Sequence, residues 1–361
     1  MPMHLAILLT ALGIPYQPIQ VPKPWTPTHG TIAVDVLRDI PEATLVLMTH
    51  NGTPLGDPIP ATVGQFDALE AFPVICTLDE AAYLQMIGGK NVPIGASLVI
   101  EPALSRRVPI VEERNDDVRG TWTTIVGWQD EGTDDRDDLP AGAGHTEGAA
   151  TPTSVPRDEA VVRSGWWIHS EVDVEMVTDH GTVRIDLRED AAPHTTRNFL
   201  LLASRHFYDD TIAHRIIPTG RNGRPFVVQG GDPTGTGSGG PGWWLPLEPS
   251  TLGHAFGVIS MARANDPDSA GSQWFIALDR QECARLDGLY CAFGEAVDGR
   301  DAIVSMATTP LEDTDYFSSR PVTPPTITET RVLAAPPRTP GKGRPDRPLL
   351  PPTDGLWHAT K

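Results

Sequence analysis

Short apolar runs broken by turn residues recur along the chain. In the first third they are TIAVDVL (31–37), ATLVLMTH (43–50), ASLVIEPA (96–103), VPIVEE (108–113) and TWTTIVGW (121–128). They are rich in Val, Ile and Thr and bounded by turn formers, which predicts strands. Thr62-x-x-Gln65 and Thr77-x-x-Glu80 fit the capping box, in which side chains satisfy orphan amide donors at a helix start. They predict two helices, the second stopping near Gly88. Residues 1–129 are therefore expected to form an α+β domain. The chain opens with a ten-residue apolar run in MPMHLAILLTALGIPYQP, too short to span a bilayer. It lacks a basic n-region and a small-x-small cleavage site. A buried strand or helix in a cytoplasmic protein is the expectation there, with secretion left open.

Residues 130–165 break the pattern. DEGTDDRDDLP is followed by AGAGHTEGAATPTSVP, which has almost no large apolar residues and predicts a solvated linker. From Glu171 the alternation resumes. VDVEMVTDHGTVRIDL reads as a hairpin turning at His180-Gly181. Pro193 suits the first turn of a helix through NFLLLAS, VDGRDAIVSMA a second helix, and TITETRVL (326–333) a closing strand. Residues 166–334 are expected as a second domain. The proline-rich basic segment 335–361 is expected to be a disordered tail.

The formal net charge of -19 disfavours a nucleic-acid partner, whose phosphates the summed field repels, and equally an anionic membrane surface. Oligomeric state is not legible. Cys76, Cys283 and Cys291 lack zinc-ligand spacing, so no metal site is predicted. They read as inert thiols, with a Cys283–Cys291 disulfide as the alternative. The acidic run lacks the ordered spacing of a calcium loop. Gly235-x-Gly237-x-x-Gly240 satisfies a dinucleotide fingerprint, but Pro241, Gly242 and WWLP follow it, and these cannot open the helix that the fingerprint requires. No cofactor is implied.

The most specific signal lies between Phe207 and Phe293. It consists of FYDDTIAHRIIP, PFVVQGGDPTGTGSGGPG, GVISMARANDPDSAGSQWFIAL and LDGLYCAFGEAV, in that order. Together these blocks resemble the cyclophilins. The resemblance implies an all-β closed eight-stranded barrel capped by two helices, and peptidyl-prolyl cis-trans isomerisation of Xaa-Pro bonds in proteins. That reaction rotates an amide against a barrier of about 18–20 kcal/mol and needs no covalent step. It requires tighter binding of the twisted amide than of either planar isomer.

By the same resemblance Arg215 corresponds to the catalytic arginine, Gln229 to the glutamine that orients it and Gln273 to a substrate-facing glutamine. Phe226, Val227, Phe275, Leu286 and Tyr290 correspond to the proline pocket, and His214 to its rim. Ala262 and Ala264 flank the segment whose backbone pairs with the peptide. The partners implied are proline-containing peptides or protein segments. The chain also departs from the family pattern. Arg285 stands where many members have the tryptophan that helps hold cyclosporin, and Arg263 where asparagine is usual. Thr219–Pro225 is a longer loop, expected to be flexible, that carries Arg221 and Arg224 to the rim and would favour acidic substrate flanks.

Two other readings remain at this level. One is a catalytically weak Xaa-Pro peptide-binding module whose N-terminal domain selects a partner. The other is a separate activity in the N-terminal domain, where no nucleophile–base pair, metal spacing or phosphate loop is seen.

Overall fold

The alternating stretch after Glu171 folds into the predicted hairpin. Strands Val172–Thr178 and Gly181–Leu187 pair antiparallel, with Thr178 opposite Gly181. Gly181 turns the chain at φ 121°, a conformation that favours glycine. The computed structural model describes residues 17–28, 30–105, 107–116, 120–130, 162–248, 250–312 and 319–344.

The hairpin sits within a curled nine-stranded sheet. Its order is Thr211–Ile212, Thr326–Ala334, Val172–Thr178, Gly181–Leu187, Ala292–Asp298, Val258–Met261, Trp274–Ala277, Val227–Gly230 and Arg215–Ile217. Each neighbouring pair is antiparallel. Two helices predicted from sequence, Pro193–Ser204 and Arg300–Ala307, pack on the sheet. Their apolar faces place Phe199, Leu202, Ile303 and Met306 in one core with Trp274 and Phe293 from the strands. Phe199 and Phe293 lie 5.0 Å apart, centroid to centroid.

The N-terminal part is more β-rich than expected. A six-stranded sheet runs Trp25–Pro27, Val162–Ser170, Val92–Ser105, Ala82–Gly88, Thr44–Met48 and Ile59–Pro60. A three-stranded sheet pairs Ile19–Gln20, Ala33–Val36 and Gly64–Asp67, and Arg107–Asp116 pairs with Gly120–Asp130. The five runs read as strands are strands. The two capping boxes are not used. Residues 64–67 are extended, and Asp67, not Thr62, caps a four-residue helix by accepting from Leu69 N at 2.9 Å. Thr77 ends a short 3-10 helix, and the predicted second helix is instead the strand Ala82–Gly88. That strand is buried at every position because neighbours flank it and both its faces are covered. Burial on both faces removes the period-two alternation that marks a half-buried strand.

Both junctions also differ from expectation. Residues 166–170 belong to a strand of the six-stranded sheet, paired with Val92–Ser105, so the second unit begins at Glu171 rather than at 166. The segment 335–344, expected to be disordered, is docked, with Arg338 only 1% exposed. Arg338 Nε donates to both oxygens of Glu171 at 3.0 Å, its backbone N–H donates to Gln85 Oε1 at 2.9 Å, and its guanidinium lies 3.7 Å from the Tyr83 ring centroid. Arg344 bridges Glu171, Asp173 and Asp186. Proline removes donors but does not prevent docking where arginines find buried carboxylates. Of the expected 130–165 linker, 130 ends the strand Gly120–Asp130 and 162–165 open the strand Val162–Ser170; residues 131–161, the opening apolar run and the tail from 345 lie outside the described residues.

The junction also buries Glu189, 1% exposed, and among the described residues neither of its carboxylate oxygens has a hydrogen-bond partner. Burial, then the neighbouring charges of Glu171 and Glu101, push its pKa well above the usual carboxylate range. A raised acid contributes stability below its unfolded pKa and loses it as pH rises through the folded one. Glu189→Gln is therefore expected to raise the melting temperature at pH 7 by a few degrees and to leave it unchanged near pH 4. Thermal unfolding at the two pH values checks this.

Candidate functional site

Alternation sorts the side chains of the curled sheet into two sets. On strand Val227–Gly230, Val228 enters the main core while Val227 points the other way. On strand Trp274–Ala277, Trp274 and Ile276 enter the main core while Phe275 and Ala277 join Val227. The second set is a separate apolar cluster of Ile217, Phe226, Val227, Ala262, Phe275, Ala277, Cys283 and Leu286, with Tyr290 packed against it. It thus gathers the five expected pocket residues, Phe226, Val227, Phe275, Leu286 and Tyr290, together with Ala262. Tyr290 meets Phe275 edge-on at 5.7 Å.

Beside the cluster runs a chain of amides. Arg215 and Gln229 face each other across paired strands, and so do Gln229 and Phe275. Arg215 Nη1 donates to Gln229 Oε1 at 3.1 Å, and Gln229 Nε2 donates to Gln273 Oε1 at 3.0 Å. Gln273 Nε2 donates to Gly237 O at 3.0 Å and Gly239 O at 2.9 Å. Two carbonyls thus require the Gln273 nitrogen on their side, which turns its oxygen to Gln229 and the Gln229 oxygen to Arg215. The glycine-rich loop that mimicked a dinucleotide fingerprint anchors this chain. Asp232 holds the loop by accepting from the amides of Thr234, Gly237 and Gly239. Burial opposes ionisation of Asp232, but those amides and the Thr234 hydroxyl hold its pKa down to about 2.

His214 and Ala264, like the amide chain, lie outside the apolar cluster. His214 is 6% exposed, and burial lowers its pKa against the pull of Asp232, which keeps the imidazole neutral beside Arg215. Ala264 is exposed, and its N–H donates to Ser269 Oγ at 2.9 Å. With Ala262, Gln273, Trp243 and Trp244 it lines a cavity of about 420 Å³ next to the pocket.

The Thr219–Pro225 loop is tethered. The buried Glu282 carboxylate accepts from Arg221 N at 3.0 Å and Asn222 N at 2.9 Å, and Arg224 Nη1 bonds Asp279 at 2.9 Å. Gly220 permits this approach, since a Cβ there would lie 2.5 Å from the Glu282 carboxyl. Arg224 is thus committed to an intramolecular partner, contrary to the flexible loop expected.

Sequence reasoning missed the support beneath the pocket. His254, fully buried, stacks on Phe275 at 5.7 Å; its Nδ1 pairs with Asp287 Oδ1 at 2.9 Å and its Nε2 with Ser260 Oγ at 3.0 Å. Burial lowers its pKa despite Asp287. The pair ties Phe275 of the apolar cluster to the 286–290 segment. A lone histidine in a sequence carries no sign of such a role. Arg285, in the tryptophan position, stacks on Phe226 at 4.2 Å.

The three cysteines are free, and Cys283 and Cys291 lie in different cores, which rules out the alternative disulfide. Among the described residues no cluster suited to a metal ion is found.

The family model described as "Cyclophilin type peptidyl-prolyl cis-trans isomerase/CLD" matches residues 173–332. The chain is similar to a peptidyl-prolyl cis-trans isomerase-like 1 of Neurospora crassa, 38% identical over 45% of this chain and 94% of that protein. It is also similar to a peptidyl-prolyl cis-trans isomerase of Synechococcus elongatus, 40% identical over 34% of this chain and 77% of that protein. A peptidyl-prolyl cis-trans isomerase-like 2 of Rhizopus delemar is 36% identical over 46% of this chain, which spans only 30% of that relative. Among solved structures, a cyclophilin type isomerase of Cryptosporidium parvum, determined in the presence of Ala-Pro, aligns at 31% identity and a TM-score of 0.40. The alignment covers 44% of this chain and 98% of that one.

The thiols offer a test of this packing. Burial pushes the Cys283 pKa up to about 11 and that of Cys291 higher still, whereas Cys76 is exposed. A thiol reagent is expected to titrate one group in the native protein and three after denaturation.

Proposed function

Because the chain belongs to the cyclophilin-type peptidyl-prolyl cis-trans isomerases, we propose that it catalyses rotation about Xaa-Pro bonds in protein segments. The observation that carries this reading is the Arg215–Gln229–Gln273 chain set beside the Phe226–Phe275 cluster. A proline ring seated on Phe275, between Phe226, Leu286 and Tyr290, would fix one end of the rotating bond. In the twisted state the proline nitrogen becomes pyramidal and gains an accepting lone pair. Arg215, held by Gln229, supplies the donor. Because the donor is fixed in place, no reorganisation is needed when the lone pair develops. The planar amide offers no such acceptor, so the interaction favours the transition state. A 10⁵-fold acceleration corresponds to about 7 kcal/mol of such differential binding. Residues 262–264, at the edge of the pocket, supply backbone groups to the peptide.

We also read the curled sheet as a closed barrel. Its edge strands, Thr211–Ile212 and Arg215–Ile217, are nearly consecutive in the chain, and a bridge joins Ile212 to Asp232 just beyond strand Val227–Gly230. The N-terminal unit meets Glu171 through Ser97 and Asp190 through His50, while Arg338 and Arg344 of the 335–344 segment pair with Glu171, Asp173 and Asp186; among the described residues none from the N-terminal unit belongs to the pocket cluster.

Arg215→Ala is expected to lower kcat/KM for an Xaa-Pro peptide at least tenfold, about 1.4 kcal/mol, with unchanged thermal unfolding. A protease-coupled isomerisation assay measures it. A smaller loss would favour the peptide-binding reading, in which Arg215 has no catalytic part. Cyclosporin is expected to bind weakly, because Arg285 presents a charged guanidinium where an indole would complete the apolar surface. Arg285→Trp should tighten it, as read by calorimetric titration; nanomolar affinity of the unaltered protein would contradict the argument.

A further inference from the structure

Around the pocket, four guanidinium groups have partners that limit what they offer a substrate. Arg224 is paired with Asp279, Arg280 with Asp287 at 2.6 Å, and Arg285 with Glu282 at 3.3 Å. Arg215 is turned to Gln229. Arg263 differs. Its Nε and Nη2 donate to Leu289 O at 3.3 and 3.1 Å, and its Nη1 donates to Ala264 O at 3.0 Å and Asn265 O at 3.3 Å. Its guanidinium carbon lies 4.6 Å from the Tyr290 ring centroid. Every acceptor is a neutral carbonyl. Among the described residues no carboxylate lies within ion-pair distance. Asp266 accepts from Asp268 N, Asp268 accepts from Leu247 N, and Asp287 is taken up by His254 and Arg280.

This arrangement has two consequences. The carbonyl contacts join the 262–265 edge to the 286–290 wall, so the guanidinium stands fixed at the mouth of the pocket. A fixed fork loses little rotamer freedom when it binds a further acceptor. Its charge is also uncompensated, and a carboxylate would form a charge-assisted bond that a neutral group would not. The net charge of -19 repels acidic segments at long range, so selectivity for them must come from such a local group.

We propose that Arg263 is a specificity-determining residue that selects Xaa-Pro segments carrying an acidic side chain within two residues of the proline. The inference rests on the isomerase reading for its substrate class, and it relocates the acidic preference from the tethered 219–225 loop to the 262–265 edge.

The test compares peptides that share one Xaa-Pro bond and carry Glu, Gln or Lys at each of the two positions before Xaa and the two after Pro. The full chain is used, at low and moderate salt. Affinity is read by NMR titration and turnover by isomerisation exchange. The expected result is a three- to tenfold preference for Glu over Gln at one or more positions, weakened by salt, with Lys the poorest. Arg263→Gln should bring the Glu and Gln peptides within a factor of two of each other. Arg263→Lys should keep part of the preference, and Arg224→Gln should keep all of it. If Glu peptides bind preferentially but no peptide is turned over, the isomerase reading fails and the role of Arg263 stands. If turnover is robust but Glu and Gln peptides are equal in the unaltered protein, the proposal is overturned and the isomerase reading stands. Failure of every peptide to bind overturns both, whereas failure of the Glu peptides alone overturns the proposal and leaves the isomerase reading standing. Loss of the preference in Arg224→Gln but not in Arg263→Gln assigns selectivity to the loop and overturns the proposal.

Discussion

The arrangement of the two halves depends on one buried carboxylate. Glu171 is wholly enclosed where the strand Val162–Ser170 leaves one sheet and Val172–Thr178 enters the other. Burying an ion costs several kcal/mol unless its lone pairs are met. Here Ser97 from the N-terminal sheet and Arg338 and Arg344 from the segment after the last strand all converge on it. Burial alone would raise its pKa, but the two arginines hold it down to about 2. Removing either kind of partner would leave a charge in a dry site. The carboxylate therefore sets where the second unit starts, and it gives a proline-rich segment a reason to be ordered.

The pocket depends on a different constraint, polarity passed along a line of amides. A glutamine side chain is nearly symmetric in shape, so packing alone does not choose which end faces Arg215. The carbonyls of Gly237 and Gly239 choose, and the choice passes through Gln273 to Gln229. Beneath it, His254 stacks on Phe275 while holding Asp287. Phe275 and Asp287 are thus linked by an imidazole that is fully buried.

How far the sequence was legible follows from where the local signal was strong. The hairpin at His180-Gly181, the helix begun by Pro193 and the five N-terminal strands are set by turn chemistry and β-branched runs, which act locally. The Arg215–Gln229–Gln273 line and the Phe226–Phe275 cluster were accessible only through the joint resemblance of four blocks, because each residue alone resembles ordinary core or surface. Ala82–Gly88 was misread because burial on both faces erases alternation. The docking of 335–344 was missed because its partners, Gln85, Tyr83 and Glu171, are distant in the chain and no local pattern announces them. The tether of the 219–225 loop was hidden for the same reason, as Glu282 lies some sixty residues further on.

The span of the Arg338 contacts bears on how the molecule acquires its structure. Gln85 waits for a partner 253 residues later in synthesis. Contacts of such separation carry a large loop-closure cost and form late. Until they do, the Gln85 side-chain oxygen lacks its donor, and the Glu171 carboxylate, met by Ser97, lacks its arginines. The N-terminal unit is thus expected to pass through a long-lived, incompletely matched stage during translation, in which it depends on the rest of the chain. The segment that releases it from that stage looks, by composition alone, like the most dispensable part of the second half.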